Sequence, residues 1–291
     1  MHRDAPTSVG PLLHLAGRLS RSVPYFSGRW RLLDWAFHRY FKHTRKSEVV
    51  QLRNHIQMEC NLWDEVQFNI WVGGFQYELR ESRWVCQTIQ PGMVFLDVGA
   101  NVGYYSLLLA PRVGPTGAIH AFEPVSSSYE IFCRNVQRSD LKNVVVNRLI
   151  VSDSPGKKVI NVGADDNAGT ASLSIVSRRD RLTETVESVT LDDYVREQNL
   201  PRVDAIKIDV QGHEMPVLKG ALGTLRQRKP LVLIEIHTPS LRGAGSSREE
   251  VYDLLEHEGF EAFRVQRNGE LERLVTPQDG VLIVFRPKEP R

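Results

Sequence analysis

Beyond the Pro91-Gly92 turn, short apolar runs alternate with stretches whose apolar residues recur at helical spacing. Val94–Val98 predicts a strand, and a helix follows from about Tyr104. "AIHAFEP" predicts a second strand. "SSSYEIFCRNVQR" predicts a second helix with Ser126 or Ser127 as its N-cap, and "NVVVNRLIVS" a third strand. "VDAIKIDV" and "PLVLIEIH" predict the fourth and fifth strands, each followed by a helix, in "HEMPVLKGALGTLRQ" and "SREEVYDLLEHEG". "FEAFRVQ" and "GVLIVFRP" predict a closing strand pair. Between the third and fourth strands, "KKVINVG", "GTASLSIV" and "ETVESVTL" suit antiparallel strands beside the main sheet. The alternation predicts an α/β fold: a mostly parallel sheet with helices on both faces and a mixed edge.

The pattern differs upstream. From about Glu48 to Trp84 it is strand-like or mixed, in "HIQMECNLW" and "QFNIWVGG", and "RESRWVCQTI" then predicts a short helix. "GRWRLLDWAFHRYFKHTRK", starting at Gly28, predicts an amphipathic helix with an aromatic and a basic side. The first twenty or so residues, with Pro6 and Pro11, are expected to be loosely ordered. Three parts follow: an N-terminal extension (1–47), a mixed segment (48–90) and a core domain (91–291).

Charge sharpens that division. The chain of 291 residues carries a net charge of +2, which argues against a protein that coats nucleic acid. Residues 1–46, however, hold nine Lys/Arg against Asp4 and Asp34, so the remainder is acidic. Cys60, Cys86 and Cys133 are far apart, as expected of free thiols in a reducing compartment. No apolar run reaches the roughly 20 residues of a spanning helix, and no signal-peptide pattern opens the chain, so a cytoplasmic protein is expected.

The turn in "FLDVGANVGYYSLLLA" points to chemistry. A dinucleotide-type G-x-G-x-x-G would need glycine at 99, 101 and 104, where the chain has Gly99, Asn101 and Tyr104. The pattern present is D-x-G-x-N-x-G, running from Asp97 through Gly99, Ala100 and Asn101 to Gly103. A carboxylate before the first glycine would repel a pyrophosphate. It suits a ligand with ammonium and sulfonium charges. Glu123 follows Gly103 by 20 residues at the end of the second strand, the offset of an acid that accepts both protons of a ribose diol.

These stretches, in this order, resemble the FkbM family of S-adenosylmethionine-dependent methyltransferases: "VFLDVGANVGYYSLLLA", "GAIHAFEP", "LIVSD", "VTLDDYV", "VDAIKIDVQGHEMPVLKGA" and "PLVLIEIH". The likeness runs from about Gly92 to the C-terminus. It implies a Rossmann-like class I methyltransferase fold with a seven-stranded sheet, S-adenosylmethionine as cofactor, and O-methylation of sugar or natural-product hydroxyls. Residues 50 to 90, with Tyr77-Glu78, resemble the family's preceding segment more loosely. The family's usual Glu after "KIDV" is Gln211 here. Cofactor contacts are expected from Asp97, Gly99, Ala100, Asn101, Gly103, Glu123, Ser152 and Asp209.

Methyl transfer to a hydroxyl needs a held acceptor and a proton sink. Asp209, His213 and His237, at the ends of the fourth and fifth strands, are the catalytic candidates. The histidines titrate nearest neutral pH, and Asp209 can orient the nucleophile or bind the cofactor's ammonium group. Glu214 and Glu235 lie on the same rim. Asp192-Asp193 suits a helix N-terminus after Thr190 better than a metal site, and no metal is expected. The expected partner is a hydroxylated small molecule or glycan. The basic aromatic segment 28–46 is expected either to cover the acceptor site or to touch a membrane. Two other readings stand beside this one: an RNA methyltransferase, and an inactive cofactor-binding interaction module.

Overall fold

A computed structural model describes residues 29–52, 56–162 and 182–288. Helix α1 (Arg29–Ala36) continues into a π turn (Phe37–Phe41). Strands β1 (Ser47–Gln51) and β2 (Gln57–Asn61) form a separate antiparallel pair. Helices α2 (Glu65–Gly73) and α3 (Leu79–Thr88) lead to the core domain. The strand-like reading of "QFNIWVGG" is corrected here, because most of it lies in α2. The Asp64 carboxylate caps that helix, accepting the Gln67 N–H at 2.9 Å. Phe68, Ile70, Trp71 and Val72 are all buried, so the helix is apolar around most of its girth and its period is hidden.

The core then alternates as expected. Strand β3 (Val94–Val98) precedes α4 (Tyr104–Val113), and β4 (Ala118–Phe122) precedes α5 (Ser126–Arg138). The expected third strand divides into β5 (Val144–Asn147) and β6 (Ile150–Val151). Strands β7 (Gly156–Val162) and β8 (Leu182–Val189) pair antiparallel and, with β6, make a small sheet of their own. "GTASLSIV" lies outside the described residues, as do the first 28.

Helix α6 (Leu191–Glu197) leads to β9 (Ala205–Ile208). The single helix expected next is two, α7 (Glu214–Lys219) and α8 (Leu222–Arg228). The break lets the Asp192 carboxylate cap α8, accepting the N–H groups of Gly223 at 2.7 Å and Thr224 at 2.6 Å. Thr190 caps α6 through Asp193 N–H, so the Asp192-Asp193 pair serves helix ends. Ser126 and Ser127 do not cap α5. The Ser126 N–H and hydroxyl instead donate to Glu184 of β8, at 3.1 and 2.7 Å. Strand β10 (Leu231–Ile236), α9 (Thr238–Gly243), α10 (Arg248–His257), β11 (Phe260–Val265), β12 (Leu271–Arg273) and β13 (Gly280–Pro287) complete the chain.

The main sheet runs β12-β11-β13-β10-β9-β3-β4-β5. Strands β5, β4, β3, β9 and β10 are parallel, and β13 is antiparallel to both β10 and β11. This is the Rossmann-like class I methyltransferase fold, with eight strands among the described residues rather than seven because short β12 adds to the edge at β11. One apolar layer joins Phe95 to α4, α5 and the segment from Phe37 to Ile89. The other joins Leu96 and Val98 to α6, α8 and α10. Every residue of β3 is buried, as a parallel strand covered on both faces requires.

Candidate active site

In a sheet of this kind ligands gather beyond the carboxyl ends of the strands, where the order reverses. Here that point lies between β3 and β9. The turn after β3 is fixed by its glycines. Gly99 sits at φ +79, and a Cβ there would stand 1.9 Å from the Asp209 carbonyl oxygen. Gly103 sits at φ +92 against the Phe132 ring, which a Cβ would meet at 2.2 Å. The N–H groups of Gly99 and Ala100 both donate to the Phe122 carbonyl, each at 3.0 Å. Glu123 then closes the turn: its carboxylate accepts the Asn101 N–H at 2.8 Å and the Val125 N–H at 2.9 Å. It is buried, and that burial lifts its pKa to about 7 although both N–H bonds pull it down.

Side-chain register builds the opposite wall. Asp97 of β3, Lys207 of β9 and Leu233 of β10 are partners across three adjacent strands. Side chains alternate along a strand, so Asp209 and Glu235, two residues further on, follow on the same face. Lys207 is buried, with Nζ 3.0 Å from Asp209 Oδ2 and 5.1 Å from the Tyr105 ring centre. Burial works against its charge, but Asp209, Asp97 and Glu78 outweigh that and hold it protonated. Burial likewise opposes charge on Asp209. The Lys207 charge, with hydrogen bonds from Glu235, Lys207 and Gln211, nevertheless holds it below the ordinary carboxylate range. Glu235 moves the other way, raised by burial and by the Asp209 charge, so the proton of this pair rests on Glu235. Gln211 Nε2 bridges the two, 3.2 Å from Asp209 Oδ1 and 3.0 Å from Glu235 Oε2. Glu78, at φ +44 just before α3, accepts the Tyr105 hydroxyl at 2.6 Å and is also raised by burial.

One cavity brings together Gly99, Asn101, Glu123 and Asp209 of the expected set, with Tyr77, Glu78, Gln211 and Glu235 beside them. Ala100 and Gly103 belong to the turn without lining the cavity. Asp97 lies beneath it, buried. Its Oδ2 accepts the Ser106 hydroxyl at 2.6 Å and its Oδ1 has no hydrogen-bond partner among the described residues. Ser152 and His213 do not line the cavity. They bond each other, Oγ to Nε2, at 3.0 Å. Burial and the nearby Lys158 charge depress His213 to about 4. His237 is exposed, its Nδ1 2.8 Å from the Ser240 hydroxyl. Glu214 is buried and folds back on the Gly212 N–H at 3.0 Å. Sequence reading missed Lys207. Its signal was a lysine inside an otherwise apolar parallel strand, where a buried charge needs a partner.

Comparison with known proteins gives the family. Residues 97–262 match the Methyltransferase FkbM domain. The chain is 27% identical over 209 residues to methyltransferase sdnD of Sordaria araneosa, covering 58% of this chain and 74% of that protein. It is 28% identical over 162 residues to the hexuronic acid methyltransferase AglP of Haloferax volcanii, covering 56% of this chain and 61% of that protein. It is 26% identical over 199 residues to the 31-O-demethyl-FK506 methyltransferase FkbM of Streptomyces tacrolimicus, covering 59% and 74%. The domain match spans more than half the chain and takes in the glycine turn, Glu123, the Lys207–Asp209 pair and Glu235. The chain therefore belongs to the FkbM methyltransferase family, and it is an S-adenosylmethionine-dependent methyltransferase.

Proposed function

We propose that this enzyme O-methylates a hydroxyl of a sugar, glycan or glycosylated metabolite, with Asp209 as the proton acceptor. The bound cofactor supplies an electrophilic methyl group. The residues fit that group. Each Glu123 oxygen accepts one N–H and keeps a lone pair for a ribose hydroxyl, and Gly99 offers the cavity no side chain. One observation carries the assignment of the base. Asp209 lines the same cavity as Gly99 and Glu123 and is held ionised, whereas neither His213 nor His237 lines it. An ionised carboxylate beside a protonated Glu235 and an amide can orient an acceptor hydroxyl and take its proton as the new C–O bond forms. Two relatives whose names specify a hexuronic acid and a 31-O position support a hydroxyl-bearing acceptor.

The test is a panel of hexoses, hexuronic acids and glycosylated metabolites offered with labelled methyl donor. An alkali-stable methyl ether on a hydroxylated acceptor is expected. Asp209→Asn should lower kcat by roughly 10²–10⁴ and leave affinity for the demethylated cofactor within a few-fold. Label appearing only on amines or carboxylates would reject the acceptor class. A loss confined to cofactor affinity would make Asp209 a ligand of the cofactor's ammonium group instead.

A further inference from the structure

Helix α1 has one face that takes no part in the cavity. Phe37 and Phe41 turn inward, with ring centres 5.3 and 4.7 Å from that of Phe68 in α2. They fasten the segment to the core. The outward face carries Leu32 and Trp35, each 55% exposed, and Tyr40, 41% exposed. The π turn sets this row. Leu32 and Trp35 share a face of α1 at a spacing of three, and the wider turn brings Tyr40, five residues beyond Trp35, onto the same side. The Trp35 and Tyr40 rings meet edge to face at 5.6 Å. Arg31, Arg39 and Lys42 of the same segment are exposed, and the Arg39 guanidinium lies 5.3 Å from the Tyr40 ring centre. Asp34, the acid of this segment, faces His38 at 3.4 Å.

We infer that this face docks on an anionic lipid surface. An aliphatic residue, a tryptophan and a tyrosine in one row suit the boundary between headgroups and acyl chains, and the exposed cations suit acidic headgroups. Charge selects this occupant. A second copy would bring like charges against each other. A phosphate backbone would satisfy the cations but leave Leu32 and Trp35 in water. No described helix is long and apolar enough to cross a membrane.

The test is sedimentation of the full chain with phosphatidylcholine vesicles, with and without roughly a third of phosphatidylglycerol. Salt-sensitive binding to the anionic vesicles is expected. It should weaken about tenfold or more in the triple variant Leu32→Ser, Trp35→Ser, Tyr40→Ser and in the charge reversal Arg39→Glu, Lys42→Glu. All the substituted side chains are exposed, so both variants should keep wild-type Tm and affinity for the demethylated cofactor. Wild type failing to bind anionic vesicles at low salt would overturn the inference, as would a triple variant that binds unchanged. Dimerisation lost in the triple variant, or tighter binding to an RNA oligonucleotide than to the vesicles, would equally overturn it.

Discussion

At the ends of β3 and β4 the cavity wall is a main-chain turn, held by two glycines and tied to one carboxylate. At the ends of β9 and β10 they are side chains: a buried lysine, an ionised Asp209, a protonated Glu235 and the bridging Gln211. The first wall gets its shape from main-chain geometry, so it changes little with pH except through Glu123. The second gets its shape from charge, and each member's protonation depends on its neighbours. Gly99 joins them, because its missing Cβ lets the Asp209 carbonyl come close. The wall proposed for a fixed cofactor is thus rigid and local. The wall proposed for proton transfer is a coupled network spread over three strands and the Tyr77–Glu78 segment.

Substitution should separate the two. The largest effect is expected from Lys207→Met, which removes the buried cation and leaves buried Asp97 and half-buried Asp209 and Glu78 around an apolar chain. Removing one partner of a buried ion pair costs about 3–5 kcal/mol, and denaturant unfolding should register a loss of that order, with turnover lost as well. A loss well under 1 kcal/mol would mean that the charged wall does not depend on its cation.

Glu123 tests the other wall. Its carboxyl, at about 7 in the free protein, must be ionised to accept ribose hydroxyls. Affinity for the demethylated cofactor should therefore fall about tenfold between pH 8 and pH 6, because binding must displace a proton. In Glu123→Gln the affinity should be weaker throughout and flat with pH. A wild-type affinity flat over that range would separate Glu123 from the ribose.

The smallest effect on activity is expected from His213, which lies outside both walls. Unfolded, the ring protonates near 6.5; folded, near 4. Between those values the unfolded chain holds more protons, so stability should fall as pH drops from 6.5 to 4, by on the order of 1–3 kcal/mol. His213→Gln should flatten that slope and leave kcat at neutral pH near wild type. A hundredfold loss of kcat would restore His213 as a base.

The strands and helices of the core were legible in the chain because period and punctuation agreed: "VFLDV" before D-x-G-x-N-x-G, "AIHAFEP" before Pro124, the alternation that followed. So was the glycine-turn side of the cavity, since a glycine turn and an acid 20 residues on are local features, fixed by what the backbone can do. Where local pattern failed, a distant partner had decided. Glu184 satisfies the start of α5, and Asp192 divides α7 from α8. The charged side is of that second kind. Lys207 meets Asp97 only through the β3–β9 register, and Tyr105 reaches Glu78 only because α3 and α4 share a layer. Along the chain the two histidines looked the better bases, and Asp209 an orienting or ammonium-binding group; packing alone placed Asp209 in the cavity and both histidines outside it. A sequence specifies local geometry through dihedral limits and apolar period. Which charges become neighbours, and so which of them keep their protons, is set by tertiary packing, because Coulomb and desolvation energies depend on distance and burial rather than on order along the chain.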